Sequence, residues 1–365
     1  MKILYVGPDY PGSNGTCWRD AFIELGHDVR TVDDERYYAA PASLPGKVVR
    51  KLRGRPAEAR LRAANEMIVK ESDRFRPDFT FYIKAYFVYP ETLEHTRKTG
   101  PNFAYMNDDM FNPANQTYLF YEAIRRMDCI FTTKSYNVAE FHAADAPRAV
   151  YIPNAYDPKI HYPVRLNQQD GAELGGDVGF LGTYRPERAD FLSCIADVRR
   201  NLRFNVWGDG WYKMGRITNL HRWPRWRNLK PCIRGSALWC EQMGKALQAN
   251  KISLGLLYHK NRDLHTSRSF EIPACRGFML GERTEEHRLY FEEDKEAVYF
   301  SSIEEMIDKI WFYTSHDSIR ERIADAGYKR CMRSAATYAD RARTALSEYA
   351  KMRPQFIAAR HLISQ

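Results

Sequence analysis

No stretch of the chain approaches the ~20 consecutive apolar residues that a membrane-spanning helix needs, so the sequence is read as one that does not cross a bilayer. A GxGxxG fingerprint after the first apolar run is missing. Gly7, Gly12 and Gly15 have the wrong spacing, which argues against a dinucleotide-dependent dehydrogenase even though Asp33 and Asp34 stand where a ribose-binding acid is expected. No GxxxxGK[ST] sequence occurs, which removes a Walker-type NTPase. The seven cysteines are odd in number and scattered, without a CxxC pair or histidines at ligand spacing, so neither a disulfide framework nor a zinc site is expected. Short-period repeats and low-complexity segments are also lacking. The start, MKILYVG, has one lysine and a short apolar run closed by Gly7, Pro8 and Asp9, which reads as a first strand rather than a signal peptide. A cytoplasmic location is the expectation.

What is present suits a two-domain α/β protein. With 365 residues the chain exceeds the usual size of one compact core. Short apolar runs alternate with amphipathic stretches in both halves, the pattern of parallel sheets flanked by helices. Strands are predicted over 2–6, 28–32, 79–83, 102–106, 129–132 and 149–152, and again over 177–181, 204–207, 252–257, 278–280 and 297–300. Ser302 and Glu305 form a capping-box pattern ahead of Ile303, Met306, Ile307, Ile310 and Trp311 at helical spacing, and further helices are expected over 319–333 and 338–352. The expected division is a first Rossmann-like domain over 1–163, a polar linker over 164–176, a second Rossmann-like domain over 177–340, and a terminal helix over 341–365 that packs back on the first domain. Open parallel sheets bind ligands at the carboxyl ends of their strands, so two such sheets facing one another predict a ligand in the intervening cleft.

The segment LHTSRSFEIPACRGFML, residues 264–280, runs from a loop rich in hydroxyls into a short helix and then a strand. Thr266, Ser267, Ser269, the charge of Arg268 and a helix amino terminus suit a diphosphate. Glu271 lies one turn beyond Arg268, where a carboxylate can accept hydrogen bonds from two ribose hydroxyls. The same spacing also fits a plain exposed i, i+3 ion pair. After the strand ending at Leu181, the loop GTYRPER offers Gly182 and Thr183 to a donor and Arg185 to phosphate, with Arg188 open to a simple surface role. WGDGW places Trp207 and Gly208 in a tight turn at another strand end, and Gly12 lies in the loop PDYPGSNG that follows the first strand. MNDDMF presents Asp108 and Asp109 at a strand end as candidate acceptor-side catalytic carboxylates, a solvated turn being the plain alternative. Lys84 reads as a snorkelling surface lysine.

FEIPACRGFML, FEEDKEAVYF and SIEEMIDKIWFY resemble the carboxyl-terminal domain of the CgeB-like glycosyltransferases, relatives of the retaining GT-B group that includes sucrose and glycogen synthases. The likeness covers most of 177–345, with the glycine loop after Leu181, NKISLGLLY and, more weakly, YIPNAYDPKIHYP. It implies the GT-B fold and a nucleotide-sugar donor, UDP- or GDP-linked. It assigns the donor ribose to Glu271 and the diphosphate to a basic residue matching Arg268, which makes Arg268 catalytic through the leaving group. It leans towards retention of the anomeric centre. Such proteins usually carry a glycine near the position of Arg276. With phosphate held by arginine and backbone, no metal and no further cofactor are expected.

A net charge of +9 points to anionic company. The basic stretch 47–62 offers peripheral contact with the inner face of a membrane, and 222–234 interleaves arginine with Trp223 and Trp226 in a manner that also suits stacking on bases. The expected function is glycosyl transfer to a glycan, a lipid-linked glycan or a small molecule. The rival from another class is a nucleic-acid-binding protein, or a transferase acting on modified nucleic acid.

Overall fold

The apolar runs form two six-stranded parallel sheets. The structure, a computed structural model, describes residues 1–38, 56–112, 116–198 and 201–363. Two compact units emerge, one built from 1–153 together with 338–365, the other from 154–337.

In unit 1 the strands are β1 (Lys2–Val6), β2 (Asp28–Val32), β3 (Phe79–Ile83), β4 (Asn102–Met106), β5 (Cys129–Thr132) and β6 (Ala149–Tyr151), in the order β2-β1-β3-β4-β5-β6. Every residue of FTFYI and NFAYM is buried, because helices cover both faces of a parallel sheet and leave no solvent face to alternate with. Trp18, on the helix Asn14–Glu24, anchors one layer, with ring centroids 4.7 Å from Phe81, 5.1 Å from Tyr105 and 6.3 Å from Tyr338. The helix Tyr338–Ile363 therefore contributes to this core, and Tyr349 adds a contact 5.2 Å from Phe79.

Unit 2 contains β7 (Gly176–Leu181), β8 (Phe204–Trp207), β9 (Ile233–Gly235), β10 (Asn250–Gly255), β11 (Met279–Glu282) and β12 (Val298–Phe300), ordered β12-β11-β10-β7-β8-β9. Neighbouring residues serve opposite faces. Phe180, Val206, Leu280 and Val298 pack in one layer, and Leu181, Trp207, Met279 and Tyr299 in the other.

Three local expectations change. The stretch read as a linker holds a helix, Gln168–Leu174, started by a reciprocal capping box between Asn167 and Asp170 and anchored by buried Leu174. Ahead of Ile303–Ser315, Ser302 accepts from the Glu305 N–H at 3.1 Å, but the Glu305 carboxylate turns to Arg283 and to the Ser301 N–H, so only half of that box forms. Strand β9 has no counterpart in the predicted strands, being three residues long and half-exposed.

Candidate functional site

In unit 2 the carboxyl ends of β7 and β8 are drawn together by two glycines. The Gly182 N–H donates to Trp207 O at 2.9 Å, and the Trp211 Nε1–H donates to Gly182 O at 3.0 Å. Gly208 has φ 152°, and a Cβ there would lie 1.9 Å from Gly182 O, so no side chain fits between the two loops. The Trp207 ring is buried in the core beside Leu181 and Met279, which leaves that residue a packing role rather than an exposed platform. Thr183 is exposed, and its carbonyl accepts from Arg188 Nη1 at 3.1 Å.

The helix Arg268–Ala274 begins beside this turn. Arg268 donates through Nε to Leu181 O at 3.1 Å and through Nη1 to Glu271 Oε2, which ties the helix to the end of β7. Glu271 is buried, unlike either member of an ordinary surface pair. Burial alone raises its carboxyl, but the Arg268 guanidinium, with a hydrogen bond from Ser267, holds it below the usual range, so it is ionised. His161 was invisible to motif reasoning. Its Nδ1 accepts from the Asp157 N–H at 3.0 Å, and its Nε2 stands 3.6 Å from Glu271 Oε1 with no hydrogen-bond partner among the described residues. Burial lowers its pKa, against the pull of Glu271, so the imidazole is neutral.

The loop before the helix is pinned from below. The Thr266 N–H donates to Ser269 Oγ at 3.0 Å, and Ser269 Oγ lies 2.7 Å from His287 Nε2. Burial pushes His287 down to about 4, so at neutral pH it accepts there while Nδ1 donates to Glu282 O at 2.6 Å. His265 bridges the Asn154 N–H at 2.9 Å and Glu286 at 2.5 Å.

Three guanidinium groups collect around this loop. Arg185 is exposed and lies over the Tyr258 ring at 4.9 Å; Arg188 lies over the same ring and over Phe180, each at 5.8 Å. Left open to a simple surface role by its sequence, Arg188 is half-buried, and its Nε has no hydrogen-bond partner among the described residues. Burial and the like charges of Arg185 and Arg268 lower its pKa, against Asp263. An anion would relieve that repulsion. Arg276 takes a left-handed backbone, φ 58°, where glycine is the expected residue, and its guanidinium pairs with Asp325 at 2.6 Å, at the carboxyl end of the helix and away from this cluster.

In unit 1 the acidic pair divides its tasks. Lys84, after β3, places Nζ 2.8 Å from Asp108 Oδ2, and the Tyr86 hydroxyl donates to the same oxygen at 2.9 Å. Lys84 is thus an ion-pair partner rather than a free snorkelling lysine. Both Lys84 (φ 72°) and Ala85 (φ 49°) are left-handed, a cost of order 1–3 kcal/mol each. Burial raises the Asp108 carboxyl, but Lys84, Tyr86 and Lys134 hold it below the usual range. Asp109 is buried, accepting the Phe111 N–H at 2.8 Å and the Tyr136 hydroxyl at 3.4 Å, so it serves a turn. Burial, with Glu35 and Asp33 nearby, pushes Asp34 up to about 8. Gly12, φ 79°, turns the loop after β1 into the helix capped by Ser13.

Of the two basic stretches, 47–55 lies outside the described residues, and 58–62 opens the helix Glu58–Phe75. In 222–234, Trp223 is exposed while Trp226 is buried, its Nε1–H donating to Asp190 at 2.9 Å, so one indole rather than two is available for stacking. Among the described residues no helix is long and apolar enough to cross a membrane.

Residues 186–347 match the sequence profile of a family described as glycosyl transferase-like. No curated protein sequence matches the chain. Among solved structures, Anabaena HepE in complex with UDP-glucose is similar over 95% of this chain and 100% of its own, with 13% identity and a TM-score of 0.66. Sucrose-phosphate synthase from Thermosynechococcus elongatus is similar over 98% and 100%, with 11% identity and a TM-score of 0.67. An alpha-glucosyltransferase in complex with UDP-glucose and DNA containing an abasic site is similar over 90% and 94%, with 14% identity and a TM-score of 0.58. The chain carries a glycosyltransferase domain over 186–347 and has the GT-B fold of two Rossmann-like units.

Proposed function

We propose that the protein moves a sugar from a nucleotide-sugar donor, UDP-linked before GDP-linked, to an acceptor held mainly by unit 1, with retention at the anomeric centre and without a metal ion. The observation that carries this reading is the set of three arginines, Arg185, Arg188 and Arg268, gathered beside ionised Glu271 at the strand ends of unit 2. A nucleoside diphosphate departing from a sugar concentrates negative charge there, and preorganised cations stabilise it. HepE, structurally similar, is known with UDP-glucose, which supports naming a UDP-sugar before a GDP-sugar. The sequence resemblance to CgeB-like glycosyltransferases points the same way.

The ion pair suggests how the donor enters. Diphosphate oxygens compete for Arg268, and Glu271 is freed to accept the two ribose hydroxyls while His161 steadies it from behind. In the transfer, the bond from the anomeric carbon to the diphosphate oxygen breaks and the bond from the acceptor oxygen forms. The acceptor proton passes to the departing phosphate if the centre is retained, or to Asp108 if it is inverted. Asp108 otherwise orients the sugar or acceptor, with Lys84 fixing its position. A glycan, a lipid-linked glycan or a small molecule is the acceptor class, and the cytoplasm the site of action.

A panel of nucleotides and nucleotide sugars, read by thermal shift, tests the donor half, because a ligand of the native state raises the melting temperature. UDP and its sugars should stabilise the protein. No response to any nucleotide, with random DNA bound in a salt-sensitive manner, would transfer the assignment to nucleic-acid binding.

A further inference from the structure

Between Trp211 and Trp239 the chain has seven lysines and arginines and not one aspartate or glutamate. The stretch is fastened to unit 2 by buried Trp211, Met214, Trp226, Leu229 and Cys232. What it presents outward is unusual. Ile217–Arg222 is a 3₁₀ helix, with three residues per turn, so Ile217 and Leu220 align along one edge and Trp223, directly after it, continues the row. Their relative exposures are 82%, 48% and 43%. The Trp223 Nε1–H donates to Met214 O at 2.9 Å, which fixes the indole at the end of the row, and Tyr212, 75% exposed, lies nearby in the chain with Lys213 and Arg216 against its ring at 5.9 and 5.8 Å. Arg222 pairs with Asp190, while Lys213, Arg216, Arg227, Lys230 and Arg234 make no ion pair with a carboxylate among the described residues.

We propose that this face is a docking surface for an anionic lipid bilayer, with Ile217, Leu220 and Trp223 entering the headgroup boundary and the surrounding cations meeting lipid phosphates. An apolar edge in a basic field is the pattern of interfacial anchoring, where hydrophobic burial and attraction to anionic lipid add. A nucleic acid would reward open aromatic planes, yet Trp226 is buried, the exposed Tyr212 ring is covered by Lys213 and Arg216, and the most exposed member of the row is an isoleucine, which neither stacks nor hydrogen-bonds. A second copy of the chain would bring the same positive field against itself. The surface is independent of the donor reading, since vesicle binding is measured without sugar transfer.

The experiment is co-sedimentation of the full chain with vesicles of phosphatidylcholine alone and of phosphatidylcholine mixed with phosphatidylglycerol. Binding should be confined to the mixed vesicles and weaken with salt. Ile217→Ser with Leu220→Ser should reduce partitioning by about tenfold or more, from the apolar area lost. Because both side chains are exposed, the melting temperature serves as the fold control, and Ile217→Lys alone is the second variant if the pair proves unstable. Equal binding of wild type and variants, absence of vesicle binding, binding of a DNA oligonucleotide in place of vesicles, or a concentration-dependent dimer abolished by Ile217→Lys would each refute the proposal.

Discussion

His161 Nε2 stands 3.6 Å from Glu271 Oε1, behind a carboxylate whose other oxygen is bonded to Arg268. A buried anion is thus flanked by one charged and one neutral group, and only the charged one is partly exposed. Glu271→Ala should weaken UDP-sugar binding by about 1.5–3 kcal/mol, roughly ten- to a hundredfold, the loss of charge-assisted hydrogen bonds. His161→Ala should cost less, since a neutral ring at that distance positions rather than binds. Calorimetric titration decides, and an unchanged affinity in Glu271→Ala removes it from the donor site.

Arg188 offers a test with two opposed signs. Its replacement by alanine should lower UDP affinity by about 1–2 kcal/mol, as one charged hydrogen-bonding partner is lost. The ligand-free protein should melt no lower, because a cation with an unpaired nitrogen leaves a cluster of like charges. A large drop in melting temperature with unaltered UDP binding would assign Arg188 to the framework instead.

The adjacent aspartates should separate cleanly. Asp108→Asn is expected to lower turnover at least about tenfold with donor affinity intact, as one charged group is withdrawn from the acceptor side. Asp109→Asn, which disturbs acceptors of the Phe111 N–H and the Tyr136 hydroxyl, should instead reduce stability by about 1–3 kcal/mol. Steady-state kinetics alongside thermal melting of both variants reads this division.

Asp34 predicts a pH dependence. Its folded pKa is raised to about 8, so the folded state holds the proton more tightly than the unfolded state between the ordinary aspartate value of 3.8 and that point. The relative stabilisation is complete below the lower value and is lost as pH rises towards the upper one. Asp34→Asn should therefore raise the melting temperature at pH 8 by a few degrees and change it little near pH 4. Identical gains at both pH values would rule out the titration.

Chelation is the simplest check on the leaving-group chemistry. With Arg185, Arg188 and Arg268 supplying the charge, EDTA should leave transfer rates unaltered. Loss of activity restored by manganese would show that the arginines do not suffice.

Much of the fold can be read in sequence because parallel strands buried on both faces appear as unbroken apolar runs, as FTFYI and NFAYM do. β9 escapes since IRG is too short to show a period, and Gln168–Leu174 escapes since its glycine and polar residues look like a turn. The Arg268–Glu271 pair is legible from i, i+3 spacing. His161 is not, because it reaches Glu271 from a distant segment, and no local pattern encodes such proximity. Lys84 misleads for a different reason. A left-handed turn at Lys84 and Ala85 redirects the side chain onto Asp108, and neither residue type announces that backbone.

Trp18 rests against Tyr338 and Phe79 against Tyr349, so the first sheet is finished by chain that follows the whole of unit 2. On the ribosome the amino-terminal half emerges first yet must wait, its aromatic layer uncovered, while 154–337 is made as a continuous unit. The order of synthesis and the order of completion are therefore reversed: unit 1 is begun first and finished last.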